Sequence, residues 1–295
     1  MTGPAMLVLT PSYRPDRTLC ADLNRSVLRF APADVRHAVV VPTADLPVFA
    51  PLAGPRTTVV DVRDVLPRQL RKVPRANVWL NPRRPFPPVR GWVAQQVVKL
   101  AAAAAATEDV VVVVDSDLVM VRPFDGRTFA PDGVVPLYRR DGAVTAHLPR
   151  HMLWHDAARR LLGLPPTDAA VRPDYVCCPC AWEPAVVRRL LARVEQATGQ
   201  PWATAVGRQL HVSEMVLYGV FVDEVESRDR EVVPTDDMRC PGHYDEVPLD
   251  GDGLADLVAR LRPEDVAVMV SARSGTSPDL RRRMVDALLA PAGGR

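Results

Sequence analysis

The sequence predicts an α/β fold, a central mixed sheet flanked by helices in one compact domain, and three observations carry that prediction. Val110–Val114 is a run of five valines, too short to span a membrane and too β-branched for a comfortable helix. It reads as a strand buried on both faces, of the kind found inside parallel sheets. Apolar strand-like and helix-like stretches alternate along the chain up to that run, as they do where parallel strands are joined by helices. With 295 residues and a 47% hydrophobic share, the chain can bury the core of one large domain or of two closely joined halves.

Taken in order, Met6–Thr10 is the first strand, followed by the loop Pro11–Arg17 and a helix through Phe30. His37–Val41 and Thr57–Asp61 are short apolar strands, with a short helix over Asp45–Leu52 between them. Pro82–Pro88 reads as a stiff proline-rich loop. From Arg90 the residues RGWVAQQVVKL run into Ala101–Ala106, and their alanine, leucine, glutamine and lysine all favour helix. Trp92, Gln96 and Lys99 share one face of that helix, with Gln95 beside it. Such a face can simply meet water, but a tryptophan and a lysine among two glutamines suit a lined cleft better. Beyond Pro123 the order loosens. Helices are expected over His151–Leu162, Pro184–Ala197 and Ser213–Val222, and a strand over Tyr175–Trp182. Glu224–Asp252 is a long polar connection, followed by a helix over Asp252–Leu261, a strand over Val266–Ser271 and a last helix over Pro278–Leu289. The chain divides on this reading into a half over 1–125, a looser half over 126–277, and a C-terminal helix and tail over 278–295.

Composition narrows the function. The 37 basic side chains stand against 35 acidic ones, which excludes a dedicated nucleic-acid binder with its pronounced basic surplus. No apolar stretch is long enough to span a bilayer, and Met1–Ala5 lacks the basic and apolar regions of a secretory signal, so a cytoplasmic protein is expected. Proline, at 30 residues, is about twice its usual share and shapes loops. The five cysteines are an odd number and read as reduced and buried.

The valine strand runs straight into Asp115-Ser116-Asp117. In open α/β sheets ligands bind beyond the carboxyl ends of strands, so this carboxylate pair stands where a ligand would; a mere turn at a strand end is the alternative. The block RGWVAQQVVKLAAAAAATEDVVVVVDSDLVMVRPF resembles a bacterial family of GT-A-fold glycosyltransferases, most of them uncharacterised. LTPSYRPD, HVSEMVLYGVFVDEV and VSARSGT are similar to further blocks of that family in the same order, so the resemblance runs from about Leu7 to about Thr276. It implies a GT-A-like, Rossmann-related sheet, a nucleotide-diphospho-sugar donor, a small-molecule or glycan acceptor, and Mn2+ or Mg2+ as cofactor.

The same resemblance assigns residues. Pro11, Ser12, Tyr13 and Arg14 would hold nucleobase and ribose, with Trp92, Gln95, Gln96, Lys99, Asp115 and Ser116 completing the donor site. Asp115 and Asp117 would bind the metal, with His243 as an additional ligand from a C-terminal loop. Glu214 follows Ser213, a plausible helix cap. An acid there is favourable through the helix dipole alone, but the resemblance makes it the general base of an inverting transfer. Arg273, Ser274, Gly275 and Thr276 suit a diphosphate, since backbone N–H groups and a guanidinium both bind phosphate oxygens. Electrostatics supplies the reason for a metal: a carboxylate about 4 Å from a phosphate charge is repelled by roughly 4 kcal/mol at an effective dielectric near 20. Lys99 and Arg273 are then expected to clamp the leaving diphosphate. Cys177, Cys180, Cys240 and His243 offer a zinc alternative through their C-x-x-C and C-x-x-H spacings. Two other functions stay open: a metal-dependent nucleotidyltransferase, though Pro11–Arg17 has no glycine to cradle a triphosphate, and a non-catalytic nucleotide-sugar-binding scaffold. The donor sugar, nucleobase, acceptor and oligomeric state are not written in the sequence.

Overall fold

The computed structural model describes residues 3–67, 70–73, 78–81 and 84–289. The principal strands are β1 (Met6–Pro11), β2 (Arg36–Val41), β3 (Thr57–Asp61), β4 (Val110–Val113), β5 (Leu118–Met120), β6 (Cys180–Trp182), β7 (Gly242–His243) and β8 (Ala267–Val270). The longer helices are α1 (Arg17–Phe30), α2 (Gly91–Ala105), α3 (Pro149–Leu162), α4 (Pro184–Thr198), α5 (Glu214–Glu224), α6 (Gly251–Ala259) and α7 (Pro278–Leu288).

The central sheet has the order β6-β4-β1-β2-β3. Every pair from β4 to β3 is parallel, while β6 closes the edge antiparallel to β4. The valine strand is sealed on both sides, and its alternation shows how. Val111 and Val113 face a core built with α2, α3, α4 and α5. Val110, Val112 and Val114 face the opposite core, which holds Leu23 and Val27 of α1 with Leu118 and Met120. Five β-branched residues thus fill two cores at once, which a helix of that length could not do.

A second sheet, β7-β8-β5, extends the end at which β4 stops. In it β8 pairs antiparallel with β5 and parallel with β7. The chain therefore leaves β4, turns through Asp115–Asp117 and enters a different sheet. No helix among the described residues is long and apolar enough to cross a membrane.

Two expected elements differ. Arg84–Arg90 forms the edge strand of a small antiparallel sheet with Val78–Asn81 rather than a loop; residues 82 and 83 of that expected loop lie outside the described residues. Prolines are tolerated at an edge because only one side of the strand must donate. Of Tyr175–Trp182 only Cys180–Trp182 pairs with β4, so Tyr175–Pro179 is loop.

Candidate active site at the carboxyl end of the valine strand

Lys99 lies at the centre of the site. Its position on α2, one turn after Gln96, carries it under the end of β4, where it is 3% exposed. The ammonium is 2.9 Å from Asp115 Oδ1 and 2.9 Å from Glu214 Oε1. Burial alone would lower the lysine's proton affinity, but the two carboxylates outweigh it and hold Lys99 above its ordinary value. It is charged and spent on two partners. The expected role of Lys99 as a diphosphate clamp is thereby corrected: a sealed ammonium between two carboxylates orients them and does not reach out.

Glu214 begins α5, and Ser213 caps that helix by accepting from the Val216 N–H at 3.3 Å. Gln96 accepts from the Glu214 N–H at 3.4 Å while its own amide donates to the Trp92 carbonyl. Trp92, Gln96, Lys99 and Glu214 therefore form one continuous cluster, and Glu214 is only 2% exposed. Trp92 stacks on Trp154, whose other neighbour is the His151 ring. Gln95 is half-buried beside this face.

Asp115 keeps about a third of its side chain open, 34%. Asp117 is more enclosed. Its Oδ2 accepts from the Ala272 N–H at 2.7 Å, whereas its Oδ1 is buried without a hydrogen-bond partner among the described residues. Burial and the charge of Asp115 push the Asp117 carboxyl up to about 6, partly offset by the Ala272 N–H. A buried carboxylate oxygen with nothing to accept from is costly, and hard oxygen donors of this kind suit Mg2+ or Mn2+. The pair fits such an ion.

His243 does not join them. Its Nε2–H donates to the Val247 carbonyl at 2.6 Å. Its strand lies across β8 from Asp117, since Ser271 donates to the His243 carbonyl and Val270 to that of Asp117; two strand spacings make roughly 10 Å. Among the described residues no three His, Cys, Asp or Glu side chains gather into a metal-holding group. The expected set of Asp115, Asp117 and His243 is thus not assembled, and neither is the zinc alternative of Cys177, Cys180, Cys240 and His243. All five cysteines are free and buried. Hydrogen bonding to Cys180 and burial raise the Cys177 thiol, and burial raises Cys178 and Cys240.

The β1 loop reaches the same place. Ser116 donates to Ser12 between their hydroxyls at 2.9 Å, tying the Asp-Ser-Asp turn to Pro11-Ser12. Tyr13 is 47% exposed, and burial and Asp16 raise its phenol against the opposing charge of Arg273, so both charged side chains are neighbours. Arg14 is held by Asp45 and the Ala44 carbonyl, in the loop that follows β2. Arg273 is 66% exposed and 4.0 Å from Glu246. Ser274 and Thr276 are buried and share a hydroxyl hydrogen bond of 2.8 Å, while Gly275 turns the loop at φ +71°.

Sequence reasoning gave no weight to Arg281, and it read Asp16 only as one of the polar contacts of the Pro11–Arg17 loop. Burial and Asp115 raise Asp16, offset by Arg281, which places its carboxylate in the field of the aspartate pair. Arg281, on α7, is buried at the back of the Ser271–Thr276 loop. A charged residue on the apolar side of an amphipathic helix was the available signal.

A pocket of about 90 Å3 lies beyond β6, walled by Tyr138, Tyr175, Trp182, Met215 and Tyr218.

The model of a family of unknown function, DUF6492, matches residues 7–245. No curated protein matches the sequence at a significant level. Among solved structures, the chain is similar to the galactosyltransferase LgtC in complex with donor and acceptor sugar analogues, at 11% identity and a TM-score of 0.42 over 98% of both chains. It is also similar to mouse xyloside xylosyltransferase 1 in its apo form, at 12% identity and a TM-score of 0.48 over 92% of this chain and 99% of that one. A third is the glycosyltransferase GlyE of Streptococcus pneumoniae TIGR4, at 10% identity and a TM-score of 0.45 over 99% of this chain and 61% of that one. At these scores the likeness carries no residue roles.

Proposed function

Given that this chain belongs to the DUF6492 family, a family of unknown function, we propose that it is a metal-dependent glycosyltransferase of GT-A type. It moves a sugar from a nucleotide-diphospho-sugar to an acceptor hydroxyl. One observation carries the reading: at the carboxyl end of β4 one aspartate stays partly open while the next keeps a buried, unpartnered oxygen. Asp115 and Asp117 would hold Mn2+ or Mg2+ there. Such an ion, when bound, screens the aspartates from the diphosphate and stabilises charge on the departing nucleoside diphosphate.

The chain's own residues do the rest. Ser12 and Ser116 join the β1 loop to the aspartate turn, so nucleoside and diphosphate sites form one surface. Tyr13, half-exposed, offers a ring for the nucleobase to stack on. Lys99 pairs with both Asp115 and Glu214 and fixes their orientation. Glu214 receives the proton of the acceptor hydroxyl, and a single displacement inverts the anomeric carbon. Its support is orientation: the Ser213 cap and the Gln96 bond fix the backbone at the start of α5, and Lys99 holds the carboxylate itself.

The test is a thermal-shift screen of nucleoside diphosphates with and without manganese. A ligand at a hundred times its Kd stabilises by about 2.7 kcal/mol, a shift of a few degrees. Stabilisation should need the metal and vanish in Asp117→Asn. Glu214→Gln should keep it while transfer falls by roughly 10²–10⁴. Metal-independent shifts, or native shifts in Asp117→Asn, would remove the metal site. Near-normal turnover in Glu214→Gln, or retention of configuration, would place the base elsewhere.

A further inference from the structure

Arg281 is 7% exposed, and all three nitrogens of its guanidinium bind one loop and the strand end that leads into it. Nε donates to the Thr276 carbonyl at 3.3 Å, Nη1 to the Val270 carbonyl, and Nη2 to the Ser271 carbonyl and to Ser274 Oγ at 3.0 Å. None of these four acceptors is a carboxylate. A buried cation normally has a charged partner. Here burial lowers the proton affinity of Arg281, while Asp117 and Asp16 offset it through space. Its full charge therefore sits behind the aspartate pair without being neutralised by direct contact.

The loop it binds does one specific thing at the site. Ser271 leads out of β8, and the next residue, Ala272, directs its N–H to Asp117 Oδ2 at 2.7 Å. That bond decides which oxygen of Asp117 is satisfied and which is left over. Arg273 cannot set this geometry: it is two-thirds exposed and pairs at 4.0 Å with Glu246, itself 76% exposed, an arrangement that contributes little. Residues 271–281 also lie beyond the 7–245 matched by the family model.

We propose that Arg281 is a positioning residue for the diphosphate end of the donor. It fixes the Ser271–Thr276 loop on the end of β8, so that Ala272 holds Asp117 by one oxygen and the other serves a cation, and it places fixed positive charge behind the diphosphate's seat. The assignment rests on the metal-site reading above, and its test separates the two.

Two quantities are measured on the full chain: amide hydrogen exchange across 271–276 without ligand, and calorimetric affinity for inorganic pyrophosphate with manganese. In Arg281→Gln, exchange in the loop should quicken about tenfold or more and pyrophosphate affinity should fall about tenfold or more, as losing hydrogen bonds to a charged group implies. Arg281→Lys should recover part of the affinity. Met284→Ala, a buried apolar control on the same helix, should lower Tm without either change. Should Arg281→Gln not fold, Ala272→Pro removes the N–H itself at an exposed position and should reproduce the affinity loss. Native exchange and affinity in Arg281→Gln, or equal losses in Met284→Ala, overturn the proposal. Wild-type protein that ignores manganese and pyrophosphate overturns the metal-site reading and with it the donor role, while the exchange arm alone still decides whether Arg281 holds the loop.

Discussion

Asp117 shows what a single residue costs this fold. Its carboxyl is pushed up to about 6 from the ordinary 3.8, first by burial and then by Asp115. The folded chain therefore holds that proton more tightly than the unfolded chain. Stability from this group is complete below about pH 4 and is lost as pH rises through about 6. At neutral pH without metal, Asp117 is a charge held in a poor place. Asp117→Asn removes the charge and keeps an oxygen for the Ala272 N–H. In metal-free urea unfolding it should exceed wild type by roughly 1–3 kcal/mol at pH 7–8, with the gap closing below pH 4. A gap that does not change with pH would mean that burial is not what raises the carboxyl. At this scale the sequence was half legible. The aspartate pair announces itself after five valines, but nothing near Lys99 in the chain says that its partners stand at 115 and 214. Such pairings are set by which strand and helix ends meet, and a basic residue on a helix looks the same before and after.

Elements were more legible than their contacts, because periodicity and capping are local. The Ser213 cap, the proline-led starts of α3, α4 and α7, and the strands β1 to β4 follow from short-range rules. Pairing partners do not: the prolines of Pro82–Pro88 read as loop although Arg84–Arg90 is a strand, and the apolar residues of Tyr175–Pro179 read as strand although they are loop. Gly219 in α5 is a further case. As a helix-interior glycine it should be improvable, since alanine is better there by about 1 kcal/mol. Yet a Cβ at 219 would lie 2.2 Å from Tyr175 Cγ, and Tyr175 is buried with its hydroxyl donating to Asp223 at 2.7 Å. The ring cannot retreat without breaking that bond. Overpacking, typically about 1–3 kcal/mol, and the lost hydrogen bond outweigh the propensity gain. Gly219→Ala should therefore be less stable than wild type by about 2 kcal/mol in chemical denaturation. A stabilised variant would show that the loop before β6 yields freely.

Across the whole molecule, the site is a junction between two sheets. β4 ends one, β5 begins the other, and the aspartates occupy the short change of direction between Val113 and Leu118. The second sheet depends on β8, which arrives about 150 residues later in the chain, so its part in holding Asp117 is the least legible feature of the sequence. The ammonium of Lys99 spans the same junction: it is shared between Asp115, in the turn after β4, and Glu214, at the start of α5. Sharing has a meaning for turnover under the proposed transfer. A donor complex that engages Asp115 takes one partner from Lys99 and settles the ammonium on Glu214, which defines the surface the acceptor then meets. An acceptor arriving first meets a Glu214 that still shares its ammonium with Asp115. The two substrates should therefore add in sequence, donor before acceptor. In initial-rate experiments the nucleoside diphosphate product should compete with the donor and not with the acceptor. Random-order patterns would mean that the ammonium shared by Asp115 and Glu214 does not set the order of addition.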